Sequence, residues 1–175
     1  RSFSKSKGMR YYIDTEFYED GRQVHLISIG IVCEDGRELY HENSEFDWSM
    51  VPKDHWIQSN VRPFLEHGDG VRCSFTRAEL RFAIQQFVFN GHGKPVFYGY
   101  YADYDWVVFC QLFGRMVDLP EGFPYYCRDL KQTMEELGLD GDWKKANCPD
   151  PVNEHHALVD ARWNMDLHKA ILAVR

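Results

Sequence analysis

Four acidic residues and one histidine stand where predicted strands and helices begin or end. Asp14 and Glu16 follow an apolar run with one residue between them, and Asp105 starts a predicted helix. Asp160 lies in the first turns of the last predicted helix, five residues after His155. Side chains alternate along a strand, so Asp14 and Glu16 point to one face, where like charges repel. A divalent cation between them would relieve that repulsion.

Four such carboxylates gathered at one place would suit two-metal phosphoryl chemistry. Two ions about 3.5–4 Å apart clamp the attacking water and the leaving oxygen of a phosphodiester. Mg²⁺ is the expected ion for oxygen ligands, and Mn²⁺ can substitute for it. A neutral histidine such as His155 can accept the proton of the attacking water. A zinc site at His155 and His156 is disfavoured, because no cysteine or third histidine lies at zinc spacing.

Each acidic residue also has a purely structural interpretation. Asp14 and Glu16 would form an exposed strand end, and for that pair alone this is the commoner outcome. Asp105 would be a helix N-terminal acid favoured by the helix dipole. Asp160 would belong to a solvated face or pair with Arg162. The recurrence of such residues at later element starts favours the metal site.

The elements that must position these residues indicate an α/β fold. Met9–Asp14, Val24–Glu34 and Glu38–Asn43 are predicted strands joined by turns at Asp20-Gly21 and Asp35-Gly36, which gives a three-strand antiparallel meander. Alternating helices and strands follow, so we expect a mixed sheet, with parallel strands added to the meander and helices on its faces. The later predicted elements are a short helix around Asp54–Phe64, a helix from a Thr76 capping box to Asn90, a strand at Pro95–Tyr100, a helix at Tyr104–Phe113 capped by Asp103, a strand near Tyr125–Cys127, a helix from Leu130 to Gly138, a polar loop at Asp140–Pro151 and a last helix at His156–Ala173.

Length and composition restrict the class of protein. The 175 residues are enough for one domain, placed at 9–175, with residues 1–8 expected to be a disordered arm or the remnant of a tag. No apolar run is long enough to span a membrane. Five cysteines without a C-x-x-C pair favour a reducing compartment, which here means the cytoplasm. The net charge of −7 argues against a protein that grips long duplex DNA.

Three motifs resemble those of the DEDD exonuclease superfamily. They are Asp14-Thr15-Glu16 on the first strand, Ala102-Asp103-Tyr104-Asp105 at a middle helix, and the run from His155 to Arg162 at the last helix. The histidine five residues before the final aspartate is typical of the DEDDh branch. Further matches resemble the RNase AS group of polyadenylate-preferring 3′-exoribonucleases; they are Met9-Arg10-Tyr11, Phe17, Leu26-Ile27-Ser28-Ile29-Gly30 and Cys110-Gln111-Leu112.

The resemblance implies a ribonuclease H-like fold, two Mg²⁺ ions, a homodimer, and hydrolysis of single-stranded RNA from its 3′ end to nucleoside 5′-monophosphates. By position, it makes Asp14, Glu16, Asp105 and Asp160 the metal ligands and His155 the general base. One departure is that many DEDDh enzymes carry an asparagine shortly before the middle aspartate, whereas this chain has Tyr100-Tyr101-Ala102-Asp103. The contacts to the RNA 3′ end are therefore expected to differ.

Residues around the first motif are expected to bind the terminal nucleotide. Backbone groups at Thr15, Glu16 and Phe17 would meet the ribose, and Glu16 near a 2′-hydroxyl would select RNA over DNA. Phe17, Trp56 and Trp106 are candidates for stacking a base, with a place in the core as the alternative for each. A preference for adenine rests on the resemblance alone.

The sequence is also compatible with two other functions. The first is a DNA 3′-5′ exonuclease of the proofreading or repair type, which equal rates on RNA and DNA would favour. The second is a non-catalytic RNA-binding module, although a binder gains nothing from four negative charges that face phosphates.

Overall fold

The antiparallel meander expected from the sequence is present. The computed structural model describes residues 8–65, 74–91, 93–152 and 154–174. Strands β1 (Met9–Glu19), β2 (Val24–Cys33) and β3 (Glu38–Asn43) pair antiparallel in that order. β1 runs five residues beyond its predicted end, because it stays paired with β2 as far as the Glu19–Val24 pair. Asp14 and Glu16 therefore lie inside the strand and not at its end.

Three short strands add parallel pairs to the meander. They are β4 (Ser74–Phe75), β5 (Pro95–Gly99) and β6 (Arg128–Asp129). In the described ranges, six strands form one sheet in the order β4-β3-β2-β1-β5-β6. β4 pairs with β3, while β5 pairs with β1 and β6 with β5, all in parallel. The expectation of a mixed sheet is confirmed, but β6 lies just after the predicted Tyr125–Cys127 strand.

The helices differ from the prediction mainly in the second half of the chain. Their bounds are α1 (Trp56–Asn60), α2 (Arg77–Phe89), α3 (Asp103–Phe113), α4 (Leu130–Glu136), α5 (Gly141–Asn147) and α6 (Ala157–Leu172). The Thr76 capping box of α2 is present. The expected cap at Asp103 is wrong, because Ala102 takes the N-cap position without a side-chain bond. The expected polar loop after Asp140 contains α5, which the Asp140 side chain caps through Trp143 N.

Helices cover the two faces of the sheet, as alternate residues of β1 show. Tyr11 and Ile13 pack in one core with α2 and α3, whereas Tyr12 packs in another with α4 and α6. Asp14 and Glu16 share the parity of Tyr12 and so lie on the α6 face. α6 approaches the sheet closely at Gly30, where a Cβ would collide with the backbone of Ala157.

Four thiols, those of Cys33, Cys110, Cys127 and Cys148, are free, while Cys73 lies outside the described residues. No helix among the described residues is long and apolar enough to cross a membrane. Residues 1–7 of the predicted arm also lie outside the described ranges, so the domain boundary at residue 9 stays a prediction.

Candidate active site

The two carboxylates of β1 lie where this strand loses one of its neighbours. β1 pairs with β5 only as far as the Tyr12–Tyr98 pair, while its pairing with β2 continues. Past that point a gap opens on the β5 side, the place where α/β sheets commonly carry their sites. Asp14 faces Gly30 across β2, and Glu16 faces Ser28. Glu16 is buried, while Asp14 is partly exposed in the gap.

The start of α6 brings Asp160 and His155 to the same gap. The His155 backbone N–H donates to Asp160 Oδ2 at 2.9 Å, which holds the loop before α6 against the first turn of the helix. His155 has a φ of 72°, in the left-handed region that few residues other than glycine adopt. Farther along α6, the buried Asn164 donates through Nδ2 to Ile13 O at 2.9 Å and ties the helix to β1 beside Asp14.

Asp105 reaches the site from the opposite side of β1. Thr15, whose side chain points away from Asp14 and Glu16, donates to Asp105 Oδ1 through its backbone N (2.8 Å) and its Oγ1 (2.6 Å). The turn from β5 into α3 is held by Asp129, whose Oδ2 accepts from Ala102 N at 2.8 Å. Asp105 is buried, and it is held in place by Thr15 directly and by Asp129 through the turn before α3.

The structure brings three of the predicted site residues within ligand distance of one another, with Asp14 beside them in a cleft and Asp105 held by Thr15 on the other side of β1. Glu16, His155 and Asp160 each offer a ligand atom, and these atoms lie within 4.8 Å of one another. Asp14 joins His155 and Asp160 in a cleft of about 160 Å³, which we call the Asp14 cleft and which is also lined by Tyr100, Trp163 and Asn164. The donors are mainly carboxylate oxygens, the type that Mg²⁺ and Mn²⁺ prefer.

All four carboxylates have a raised pKa, and for Asp14 and Glu16 the other carboxylates of the site contribute to the rise. Asp14 is only partly exposed, and the loss of solvation by the surrounding protein raises its pKa well above the usual value, to which the negative charges of Asp105, Glu16 and Asp160 add. Burial, followed by Asp160 and Asp105, raises the pKa of Glu16 to about 8. The pKa of Asp105 rises to about 6 through burial, even though the Thr15 hydrogen bonds oppose the rise. Burial also raises the pKa of Asp160, against the His155 hydrogen bond.

A second cleft lies on the other side of Glu16. This Glu16 cleft, of about 340 Å³, is lined by Thr15, Glu16, Phe17, His55, Trp56 and Val61 among others. Trp56 is 51% exposed and packs edge-to-face on the His155 ring, with centroids 4.5 Å apart. Phe17 packs edge-to-face against Tyr104 at 5.8 Å.

Trp106 does not line either cleft. Its ring is buried in the core and stacks on Phe109 at 4.9 Å, while its Nε1 donates to Tyr125 O. The expectation that Trp106 stacks a base is therefore wrong. Asp105 points from α3 toward β1, and Trp106, as the next residue of the helix, points into the core.

Sequence reasoning missed the residues that position the site. Gly30 and Asn164 set the distance between α6 and β1, and Asp129 holds the turn before Asp105. One signal existed, since Asn164 is polar yet falls on the same helical line as Ala157 and Ala161. His156, the other half of the rejected zinc pair, stacks on Tyr40 at 4.5 Å.

Comparison with known proteins supports the activity that the three sequence motifs imply. A family model described as "3′-5′ exoribonuclease Rv2179c-like domain" matches residues 9–172. Two Mycobacterium tuberculosis proteins, 3′-5′ exoribonuclease Rv2179c of strain H37Rv and 3′-5′ exoribonuclease MT2234.1 of strain CDC 1551, are each 37% identical over 155 residues, which cover 88% of this chain and 88% of theirs.

Among solved structures, the Mg²⁺- and Mn²⁺-bound form of S. pombe Pop2p shares the fold. Its TM-score is 0.66 at 12% identity, and the match covers 94% of this chain and 82% of that chain. This neighbour, together with the mixed sheet flanked by helices, confirms the expected ribonuclease H-like α/β class. The extent of the family match and the identity to the mycobacterial proteins show that this chain belongs to the 3′-5′ exoribonuclease family with the Rv2179c-like domain.

Proposed function

We propose that this protein is a divalent-metal-dependent exoribonuclease that hydrolyses single-stranded RNA from its 3′ end and releases nucleoside 5′-monophosphates. The family supplies the 3′-5′ exoribonuclease activity. The observation that supports metal dependence is the approach of ligand atoms of Glu16, His155 and Asp160 to within 4.8 Å of one another, and the raised pKa values of Asp14 and Glu16 agree with it. Buried carboxylates that repel one another form a site that a cation stabilises.

Asp14, Glu16, Asp105 and Asp160 would hold two Mg²⁺ ions, which Mn²⁺ can replace. Both Thr15 bonds end on Asp105 Oδ1, so Oδ2 is the oxygen that would face an ion. When bound, such ions neutralise the carboxylates and stabilise negative charge on the phosphoryl oxygens. The Pop2p structure, which holds Mg²⁺ and Mn²⁺ in the same fold, is consistent with this choice of ions.

His155 acts as the general base in this proposal. Its imidazole accepts a proton from the water that attacks the last phosphorus of the chain. The bond from that phosphorus to the 3′-oxygen of the preceding nucleotide breaks and the oxygen takes up a proton from solvent water, which leaves a shortened RNA with a 3′-hydroxyl and a free 5′-monophosphate. The hydrogen bond to Asp160 and the edge-to-face contact with Trp56 hold the His155 loop and ring in place.

The Glu16 cleft is the place for the terminal nucleotide. Thr15, Glu16 and Phe17 lie on one wall beside the carboxylates, and Trp56 offers an exposed ring on the other. Glu16 would accept a hydrogen bond from the 2′-hydroxyl and so favour RNA. Stacking on an aromatic ring is worth roughly 1–3 kcal/mol per base. The preference for adenylate and a homodimer are carried over from the sequence resemblance, while a cytoplasmic location rests on the five cysteines without a C-x-x-C pair.

The decisive test is a product assay on 5′-labelled RNA homopolymers of A, U, C and G, with Mg²⁺ and with EDTA. We expect stepwise shortening from the 3′ end with Mg²⁺, fastest on polyadenylate, and none with EDTA. Asp14→Asn and Asp160→Asn should abolish turnover while the fold survives, and His155→Ala should lower kcat with little loss of metal affinity. The exposed α5 variant Asp142→Asn is the matched control.

Any of three results would contradict the proposal. Full turnover by Asp14→Asn or Asp160→Asn would remove the metal site from the reaction. Equal rates on matched RNA and DNA 3′ ends would favour a DNA exonuclease. RNA binding without any turnover in Mg²⁺ would indicate a non-catalytic module.

A further inference from the structure

A group of aromatic rings borders the Asp14 cleft on the side away from Glu16. Tyr100 and Trp163 line the cleft together with Asp14 and Asp160. Tyr101, the next residue after Tyr100, is 64% exposed. The reaction described above uses the Glu16 cleft for the terminal nucleotide and leaves these rings without a role.

The rings are held in place before any substrate arrives. Tyr100 packs edge-on against Tyr101 at 4.7 Å and against Trp163 at 5.1 Å. The Lys144 ammonium lies over both Tyr100 (5.4 Å) and Trp163 (5.1 Å), and Trp163 Nε1 donates to Pro149 O at 3.0 Å. A surface whose rings are already ordered loses little conformational entropy when a planar ligand stacks on it.

The backbone of Tyr101 keeps its ring at the surface at an energetic cost. Its φ is 54°, and in the described ranges it shares a positive φ with only one other non-glycine residue, His155. A bulky residue in this conformation is disfavoured by on the order of 1–3 kcal/mol, and such residues cluster at functional sites. An exposed tyrosine recovers little of that cost by burial in the free protein.

Charge around the rings suits a polyanion better than the overall acidic composition implies. Lys144 pairs with Asp150 at 2.6 Å, which neutralises an acidic residue that also lines the cleft. Lys131 lies near Tyr100 and Tyr101 and pairs with Glu135 at 3.0 Å. Both lysines beside the rings are thus paired with carboxylates, so the local charge is close to neutral and stacking on the rings, more than charge, would hold a single strand here.

We propose that Tyr101, supported by Tyr100 and Trp163, is a stacking site for the RNA nucleotides on the 5′ side of the scissile phosphate. This inference rests on the proposed function, because it takes the terminal nucleotide to occupy the Glu16 cleft. A strand whose last phosphate lies at the carboxylates must then leave the site in another direction. The Asp14 cleft continues from the carboxylates to Tyr100 and Trp163, and Tyr101 packs against Tyr100 just beyond the cleft, which offers that path.

The test compares a substrate that reaches Tyr101 with one that does not. The long substrate is ten-nucleotide oligoadenylate, and the short one is the p-nitrophenyl ester of AMP, which has no upstream nucleotide. Tyr101→Gly removes the ring and allows the positive φ, while Tyr101→Phe keeps the ring. We expect Tyr101→Gly to lower the ratio of kcat/KM on the long substrate to kcat/KM on the ester roughly tenfold, mainly through KM.

Three further variants and one binding measurement make the outcome unambiguous. Tyr101→Phe should stay within roughly twofold of wild type, and Phe82→Ala, which removes an exposed ring on α2, should not change the ratio. Fluorescence anisotropy of labelled oligoadenylate reports binding even if neither substrate is turned over, so failure of the proposed function is seen separately. Tyr101→Asn, which also accepts a positive φ, replaces the glycine variant if that one unfolds.

An unchanged ratio together with unchanged anisotropy in Tyr101→Gly would overturn the proposal. An equal loss on both substrates would do the same, since it would place Tyr101 at the terminal nucleotide. A change of oligomeric state in the variant, measured by light scattering, would assign the rings to contact with a second copy of the chain instead.

Discussion

At the scale of single residues, the carboxylates differ in the hydrogen bonds that they accept. Asp105 accepts two hydrogen bonds from Thr15, and Asp160 accepts one from His155 N. These bonds oppose the rise of pKa that burial causes. The neighbours that act on Asp14 and Glu16 are other carboxylates, which add to the rise. Without metal, these two residues therefore carry the least favourable charges of the site.

The metal-free protein should lose stability as pH rises. The pKa of Glu16 is about 8 in the folded protein against an ordinary 4.5. Between these values the folded protein keeps a proton that the unfolded chain has released, so the free energy of unfolding falls with rising pH. Glu16→Gln removes this penalty, and we expect it to stabilise the EDTA-treated protein by up to about 4 kcal/mol at pH 8, as measured by urea unfolding.

Two comparisons check this effect. Glu121→Gln, at an exposed loop residue, should leave the pH dependence unchanged. In saturating Mn²⁺ the order should reverse, because wild type gains stability from the ion and Glu16→Gln gains less. A Glu16→Gln variant that is no more stable than wild type at pH 8 in EDTA would contradict the burial of a repelled carboxylate.

The hydroxyl of Thr15 should contribute to metal affinity through Asp105. Thr15→Val keeps the shape of the side chain but removes the 2.6 Å bond to Asp105 Oδ1. A hydrogen bond to a charged group is worth about 1.5–3 kcal/mol, and part of that favours the ionised Asp105 that a metal needs. We expect Mn²⁺ to bind Thr15→Val roughly tenfold more weakly in calorimetry, and Thr15→Ser to restore most of the affinity. Equal affinity in all three proteins would show that the backbone N–H of Thr15 suffices.

At the scale of elements, the site depends on how closely α6 approaches the sheet. Gly30 lies opposite Asp14 in β2 and directly under the backbone of Ala157 and Leu158. The Asn164 bond to Ile13 O fixes the same approach one helical turn beyond Asp160. Asp160 and His155 therefore reach the β1 carboxylates only because position 30 has no side chain.

Gly30→Ala should lower stability and activity together. The new methyl group meets backbone atoms of Ala157 and Leu158, which cannot turn aside as a side chain would. Overpacking of this kind costs about 1–3 kcal/mol, and it pushes His155 and Asp160 away from Asp14. We expect a lower melting temperature and a kcat reduced by more than about tenfold, since a small misplacement suffices for such a loss.

Gly141→Ala is the matched control for this variant. A Cβ at Gly141 meets nothing within 4 Å, so stability and kcat should stay near those of wild type. Normal activity of Gly30→Ala, measured at a temperature where it is folded, would show that α6 can shift without harm to the site.

The elements that sequence patterns identified are those with strong local signals. The Thr76 capping box and the three meander strands have such signals, and they are present. α5 was missed because Gly138, Gly141 and Pro149 mark its surroundings as a loop, although Asp140 provided a cap. Trp106 follows Asp105 by one residue, and only the packing of α3 on Phe97 and Phe109 decides that its ring turns inward.

At the scale of the whole molecule, five residues spread from position 14 to position 160 meet at one gap in the sheet. Their motifs were readable in the sequence because each requires a fixed residue type. The groups that place them were not, because Gly30, Asn164 and Asp129 act through long-range contacts that have no local pattern. The net charge of −7 further argues against a broad basic surface as the feature that attracts RNA to this protein.

RNA binding should therefore depend only weakly on monovalent salt. When a protein neutralises Z phosphates of a single strand, the logarithm of its affinity falls linearly with the logarithm of the salt concentration, with a slope of about −0.7Z. Lys131 and Lys144 are already paired with Glu135 and Asp150, so we expect a slope of about −1 or shallower for log affinity against log[KCl] at constant Mg²⁺. The measurement is anisotropy of labelled oligoadenylate with inactive Asp160→Asn, and a slope of about −3 or steeper would indicate a basic RNA path that the described surface does not show.

The two-metal site is tested most directly by counting the divalent ions that the carboxylates hold. Isothermal titration of Mn²⁺ into the wild-type protein with AMP present should give two ions per chain. The same titration into Asp14→Asn should give at most one, with the fold unchanged by circular dichroism. No binding to wild type, or the same two ions in Asp14→Asn, would contradict the assignment of these carboxylates as a two-metal site.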